Sequence, residues 1–231
     1  PTRVRKGVRK GSFYRHDETQ PLVQIDSKRH TVEAGTMKRV LTHEFGHAAH
    51  DQNGWLTQNP ELIGFDGRGT DPVKNGIYRP VQANPIVLKY YGRAQKHIKE
   101  EKKAFEGILG KKRAITQEEH PAIVSKKVKD QLKKEFIGIT NTQLDDDFVG
   151  LADHVQSVTK GGMGWGHSLA YYKKSNKYSM GNDYPYHAEF IAHAFENYFN
   201  GNEIFKKLSP VLYQDSIDMV QELIDETRKS L

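Results

Sequence analysis

The chain has 231 residues, of which 36% are hydrophobic and 10% aromatic, which is enough to form the core of one sizeable domain. It contains no cysteine, so disulfide bonds and thiolate metal sites are excluded, and any metal must be bound by histidine and carboxylate side chains. The formal charge of +6 would suit an acidic partner. The basic residues cluster near the amino terminus and in the middle of the chain, however, and such clusters are usually solvated surfaces. We therefore do not expect nucleic-acid binding. The sequence has no run of about 18 apolar residues and therefore predicts no membrane span.

Residues 1–12 are rich in lysine and arginine, and we expect a basic, flexible lead-in to a single domain that covers residues 13–231. Residues 13–14 and 22–25 flank a polar turn and predict two short strands. Such a sheet could bind an extended peptide at an exposed edge, or it could only cover the core.

An H-E-x-x-H motif at residues 43–47 is the most informative segment of the chain. Apolar residues recur at helical spacing through it, which predicts a helix with Thr36 as its N-cap and an end at residues 53–54. Gly46, inside the motif, would let another segment approach this helix closely.

The motif supplies two metal ligands and a base. On a helix, His43 and His47 lie on one face and can direct both imidazoles at one ion, for which Zn²⁺ is the expected choice. Glu44 can reach a zinc-bound water and act as the general base. A third ligand must come from elsewhere in the chain.

The middle of the chain is predicted to be mainly helical. Residues 52–80 are dense in glycine, proline, asparagine and aspartate, which predicts a loop. Residues 84–136 carry two apolar stripes at helical spacing, the second from about residue 121 to residue 136. We interpret the region from about 84 to 140 as a helical insertion in the domain.

Residues 144–159 predict another helix, whose N-terminus the aspartates at 145–147 would favour through the helix dipole. The segment that follows, residues 160–168, interleaves four glycines with Trp165 and His167. It could bring the backbone close to a ligand, or it could be a tight connection around a buried tryptophan.

A second helix with acidic and histidine residues offers the missing ligand. Glu189, His193 and Glu196 fall on one face of a predicted helix that spans residues 187–196. Glu189 would complete a His₂Glu site and leave a position for water, and His193 and Glu196 would orient the ligands by hydrogen bonds.

Two rival ligands are weaker. His50 shares the face of His43 and His47 but lies about 10 Å along the axis from His43, so a supporting role fits it better. Asp71 belongs to the predicted loop and lacks a helical frame.

Peptide hydrolysis also needs a donor to the oxyanion. Tyr184, Tyr186 and His167 are the candidates, and the sequence does not choose among them.

The two candidate metal segments resemble a known family of peptidases. Residues 43–47, followed by Glu-Phe-Ile-Ala-His-Ala-Phe at residues 189–195, are similar to the gluzincin pattern of the anthrax lethal factor catalytic domain and its Pro-Pro endopeptidase relatives. The resemblance implies that Glu189 is the third zinc ligand and that a tyrosine several residues before it, near Tyr184 and Tyr186, contributes to the site. It also reveals a difference, because the family has an acidic residue where this chain has His193.

A second resemblance covers about two thirds of the chain. Residues 148–172, with Thr-Lys-Gly-Gly at 159–162 and Trp-Gly-His-Ser-Leu-Ala-Tyr-Tyr at 165–172, are similar to the carboxy-terminal zincin-like region of phage minor head (Mu F-type) proteins. Residues 208–213 and the helix after them also fit. This resemblance implies a virion-associated protein, or one delivered into a bacterial host cell. It also implies a phage head protein or a larger parent polypeptide as the partner, which would explain why the chain begins at Pro1 and not at methionine.

Together these features predict an α+β, zincin-like fold, mostly helical, with a small sheet. The expected activity is that of a zinc metalloendopeptidase that acts on a peptide or protein substrate, with His43, His47 and Glu189 as ligands and Glu44 as base. The alternative is a phage virion structural or injected protein whose zinc site is structural or degenerate.

Overall fold

The computed structural model describes residues 3–7, 13–15, 22–26, 34–53, 55, 61–65, 76–79, 83–110, 126–167, 171–172 and 183–230. Most of these residues are helical, and short strands make up the rest of the regular structure. The mostly helical class with a small sheet is therefore confirmed. None of the helices in these ranges is long and apolar enough to cross a membrane.

The amino-terminal strands form a three-stranded sheet. Strands β1 (Arg3–Gly7), β2 (Phe13–Arg15) and β3 (Leu22–Asp26) are arranged in the order β1-β3-β2, with β1 parallel and β2 antiparallel to β3. The two predicted strands are confirmed, and β1 lies within the segment that was expected to be a basic lead-in. An edge strand has one paired neighbour and tolerates charged residues, so its basic composition did not mark it as a strand.

A correction concerns the predicted loop at residues 52–80. It contains strands β4 (Glu61–Phe65) and β5 (Gly76–Arg79), which pair antiparallel. The register shifts between Leu62 and Gly64, and such an irregularity breaks the period of two that would have marked the strand.

The H-E-x-x-H motif lies on helix α1 (Ala34–Gln52), as predicted. The helix begins at Ala34, so the expected N-cap at Thr36 is wrong. Its predicted end is confirmed, and the side chain of Asn53 donates a hydrogen bond to the carbonyl oxygen of Ala49 at 2.8 Å.

Other helices build a common core around the second candidate segment. Helix α2 spans Pro85–Glu100, α3 Lys102–Leu109, α4 Lys126–Glu135, α5 Asn141–Val158, α6 Tyr184–Asn200, α7 Glu203–Leu208 and α8 Pro210–Ser230. Side chains of α2, α3 and α4 join one buried cluster with those of α5, α6 and α8. The predicted insertion thus shares the core of the helices that carry the site.

The start of α5 differs from the expectation. A capping box formed by Thr140 and Gln143 begins the helix, so the three aspartates lie beyond its first turn. Asp145 instead contacts the Lys129 ammonium at 2.7 Å, and Asp147 forms an ion pair with Arg39 of α1. These aspartates tie helices together and do not cap one.

Helices α1 and α6 make the most extensive contact between described elements. Gly46 allows it, because a Cβ atom at this position would lie 2.8 Å from the Ala192 Cα and 3.0 Å from the Phe195 Cβ. The predicted close approach to Gly46 is therefore present, and α6 is the segment that makes it.

Candidate metal centre

The three predicted metal ligands meet between α1 and α6. His43 Nε2 lies 3.3 Å from Glu189 Oε2, and His47 Nε2 lies 3.6 Å from Glu189 Oε1. Ligand atoms of a tetrahedral zinc site with bonds of about 2.0–2.1 Å lie about 3.3–3.4 Å apart, which both separations approach. Glu189 is fully buried, and its Oε2 atom accepts no hydrogen bond from the described residues. A cation would satisfy this atom.

The described residues contain two tighter groups whose ligand atoms all lie within 4.8 Å of one another, namely His43/Glu189/His193 and Asp153/His167/Glu189. The predicted trio is not one of them, and the rings of His43 and His47 are 4.9 Å apart, edge to face. Neither of the two tighter groups includes His47, so the ligand atoms of the predicted trio are more widely spaced. Buried histidine and carboxylate groups that could bind a metal ion are present in either case.

The protonation states suit metal binding. Burial opposes ionisation of Glu189, but the imidazoles of His167, His47 and His43 hold the pKa of its carboxyl well below the usual range. Burial lowers the pKa of His47 to about 4, although Glu189 acts in the opposite direction. At neutral pH the pair is a carboxylate and a neutral imidazole, which are the forms that bind metals.

Glu196 contacts His43 from the side away from Glu189. Its Oε2 atom lies 3.8 Å from His43 Nδ1, and its Oε1 atom accepts a hydrogen bond from Arg39 Nε at 2.7 Å. Burial disfavours the charge on Glu196, but Arg39 and the neighbouring histidines lower the pKa of its carboxyl. Glu196 is thus an ionised carboxylate near the far nitrogen of a candidate ligand, at a separation longer than a hydrogen bond.

Glu44, the predicted base, is buried, with 7% of its surface exposed. Burial, Glu189 and, to a smaller extent, the charge of Glu44 raise the pKa of the Tyr171 hydroxyl. That hydroxyl donates a hydrogen bond of 2.5 Å to Glu189 Oε1. Tyr171 is therefore a direct partner of the third candidate ligand.

His167 comes to the site from the glycine-rich segment. Its Nε2 atom lies 3.8 Å from Glu189 Oε1, and its Nδ1 atom lies 2.9 Å from Asp153 Oδ2. Burial would lower the pKa of His167, but Asp153 and Glu189 raise it to about 9. The imidazole is therefore a proton donor at neutral pH.

Helix α5 holds the segment that carries His167. The Gln156 side chain donates to the His167 carbonyl at 2.9 Å and accepts from its backbone N–H at 2.8 Å. Gly166 has a φ of +154°, and a Cβ atom there would lie 2.1 Å from Asp153 Cγ. The segment is thus a tight connection around the buried Trp165, as the second of its two interpretations expected, and it brings the His167 side chain near Glu189.

The other predicted residues have different surroundings. Tyr186 stacks on Tyr172 with ring centroids 4.3 Å apart, and no described contact joins it to a ligand. Tyr184 begins α6, and its side chain is outside the described residues, as is Asp71. His50 is buried beside His47, with ring centroids 5.7 Å apart, and burial lowers its pKa well below the usual value.

Sequence reasoning missed two members of the site, Tyr171 and Asp153. Tyr171 follows the glycine-rich segment, and its spacing in the sequence from the predicted ligands matches no known motif. Only its position in the folded structure reveals it. Asp153 did carry a signal, because it is an acidic residue among the apolar positions of α5, which is unusual unless a partner is present.

Comparison of the chain with protein-family models, with curated proteins and with solved structures found no match. The function must therefore be argued from the site.

Proposed function

We propose that the protein is a zinc-dependent metalloendopeptidase with a zincin-like fold. The observation that carries the proposal is the position of Glu189, a buried carboxylate from α6 whose two oxygens lie 3.3 and 3.6 Å from the two histidines of an H-E-x-x-H motif on α1. Two imidazoles and one carboxylate are the ligand set of hydrolytic zinc sites that keep an open position. His43, His47 and Glu189 would hold the ion.

A bound zinc ion would polarise the substrate carbonyl and make water more acidic. Glu44 takes a proton from the attacking water and later passes it to the leaving amine. His167, next to Glu189 Oε1, would donate a hydrogen bond to the oxyanion, while the single hydrogen of the Tyr171 hydroxyl goes to Glu189 Oε1 and orients that ligand. Of the three donors expected from the sequence, this proposal keeps His167.

The resemblance to lethal factor-like gluzincins supports a peptide or protein as the substrate. The resemblance to phage minor head proteins supports a virion-associated protein or one delivered into a bacterial cell.

The test uses two variants with the same assays. Glu44→Gln should retain zinc and lose hydrolysis of generic peptides, because it removes the base and leaves the ligands. Glu189→Ala should lose zinc, which stoichiometry measures directly. Full activity of Glu44→Gln would refute the peptidase assignment, and unchanged zinc in Glu189→Ala would move the third ligand elsewhere.

A second candidate function is a structural zinc site in a phage protein. The group His43/Glu189/His193 favours it, since Glu189 and His193 are buried and, with the partly buried His43, could enclose an ion with little room for water. In that case zinc would stabilise the protein, Glu44→Gln would change nothing, and no peptide would be cleaved.

A further inference from the structure

His193 lies between two carboxylates. Its Nε2 atom is 3.2 Å from Asp153 Oδ2, and its Nδ1 atom is 3.4 Å from Glu196 Oε2; both are ion-pair separations, and neither ring nitrogen meets hydrogen-bond geometry among the described residues. All three side chains are more than nine-tenths buried. An imidazole with a carboxylate on each ring nitrogen can serve both only if both nitrogens carry hydrogen.

Each of these carboxylates also contacts an imidazole of the candidate site. Asp153 Oδ2 lies 2.9 Å from Nδ1 of His167, and Glu196 Oε2 lies 3.8 Å from Nδ1 of His43. His193 thus stands at the centre of a row, His43–Glu196–His193–Asp153–His167. The two ends of the row are a candidate metal ligand and a candidate proton donor.

We infer that His193 is a positioning residue that holds Asp153 and Glu196 in place, so that Glu196 orients His43 and Asp153 orients His167. A buried carboxylate that loses a partner must find another or take up a proton, and either change would turn the imidazole at its other end. The inference rests on the proposed metal site for its His43 half. Its His167 half concerns the metal-free protein and stands independently.

His193 could instead be a metal ligand, because His43, Glu189 and His193 form one of the two tight groups. Both of its ring nitrogens face carboxylates, however, and a nitrogen that binds a metal carries no hydrogen. Ligation would leave Asp153 or Glu196 without this partner. The two roles predict different losses of zinc affinity.

The test first separates the two ends of the row. Glu196→Gln should weaken zinc binding about ten- to a hundred-fold, which is the usual loss when a residue that orients a ligand is changed. In the metal-free form of this variant, the His167 Nδ1 proton should keep its downfield NMR signal. Asp153→Asn should do the reverse, with that signal lost and zinc affinity changed less than about threefold. The signal is assigned by its absence from His167→Asn. Asp145→Asn, on the same helix but paired with Lys129, is the matched control and should change neither.

His193→Gln then tests the central residue, because glutamine can donate to only one of the two carboxylates. We expect the zinc affinity to be about ten- to a hundred-fold weaker and the NMR signal of the His167 Nδ1 proton to be shifted or missing. In the Glu196→Gln background, His193→Gln should weaken zinc binding by less than about threefold more, since the path to His43 is already broken. Zinc affinity is measured by competition with a chelator, so it does not depend on finding a substrate.

Two results would overturn the inference. One is a His193→Gln protein with wild-type zinc affinity and an unchanged His167 signal. The other is complete loss of zinc, as in Glu189→Ala, which would make His193 a ligand. Circular dichroism checks that each variant folds. If His193→Gln does not fold, the opposite effects expected of Glu196→Gln and Asp153→Asn still test the inference. A wild-type protein that binds no zinc would refute the proposed function but leave the His167 half testable.

Discussion

Gly46 and Ala192 lie at the closest point between the helix that carries the H-E-x-x-H motif and the helix that carries Glu189. A Cβ atom on Gly46 would be 2.8 Å from the Ala192 Cα, closer than such atoms approach in folded proteins. The same short spacing brings His43 and His47 within 3.6 Å of the Glu189 carboxylate. The backbone contact therefore determines the spacing of the candidate ligands.

Gly46→Ala should push α1 and α6 apart. We expect the free energy of unfolding to fall by about 1–3 kcal/mol, the range for an overpacked contact, together with weaker zinc binding. Gly92→Ala on α2 is the control, because a Cβ there meets no described atom within 4 Å and should stabilise the helix by about 0.5–1 kcal/mol. Urea unfolding measures both, and equal stability of Gly46→Ala and wild type would contradict the packing argument.

Gly166→Ala should disturb the side of the site that holds the proton donor His167 and should not change zinc binding. The new Cβ would overlap Asp153, so His167 must move, and we expect kcat to fall at least about tenfold with zinc content unchanged. Gly138→Ala separates backbone strain from displacement, since Gly138 also has a positive φ of 88° but no described atom within 4 Å of a Cβ. If Gly166→Ala and Gly138→Ala lose activity equally, the backbone strain of a side chain at positive φ, and not a displaced His167, explains the loss.

Tyr171→Phe removes the hydroxyl that donates to Glu189 Oε1 at 2.5 Å. We expect zinc affinity to fall by about ten- to a hundred-fold, because the carboxylate loses the bond that orients it. The neighbouring Tyr172 is buried, and its hydroxyl has no hydrogen-bond partner among the described residues. Tyr172→Phe should therefore behave as wild type, and an equal loss in both variants would assign the effect to ring packing.

His154 should make the fold sensitive to acid. It is fully buried, neither ring nitrogen has a hydrogen-bond partner in the described parts of the chain, and burial together with His193 lowers its pKa to about 3. Because the pKa of His154 in the folded protein lies below its ordinary value of 6.5, the contribution of His154 to stability is complete above pH 6.5 and is lost as the pH falls toward 3.

His154→Phe should reduce this loss. The ring already packs against Phe190 and Phe205, with centroids 4.9 and 5.3 Å away, so phenylalanine can occupy the site. We expect the drop in unfolding free energy between pH 7.5 and pH 5 to be smaller in the variant, as measured by urea unfolding at each pH. The same change at the half-buried His97 of α2 is the control, and an identical drop in His154→Phe and wild type would exclude His154 as the source.

The sequence was sufficient for the elements whose pattern is local. The H-E-x-x-H helix, the helix that presents Glu189 and the strands at residues 13–15 and 22–26 follow from periodicity and spacing, because those signals arise within one turn or one strand. Strand β1 and the β4–β5 pair were missed, since pairing with a partner strand, and not their own composition, makes them strands.

By itself, the sequence determined which residues could bind a metal, because ligand chemistry and helical spacing are properties of the residues and their order. Only the tertiary structure decided which of them meet. The absence of a Cβ at Gly46 sets the distance between α1 and α6, and Gly166 lets His167 reach Asp153. Tyr171 and the row through His193 have no sequence signature, and the signal of Asp153 does not name its partners, since such contacts depend on how separate helices pack and not on any spacing along the chain.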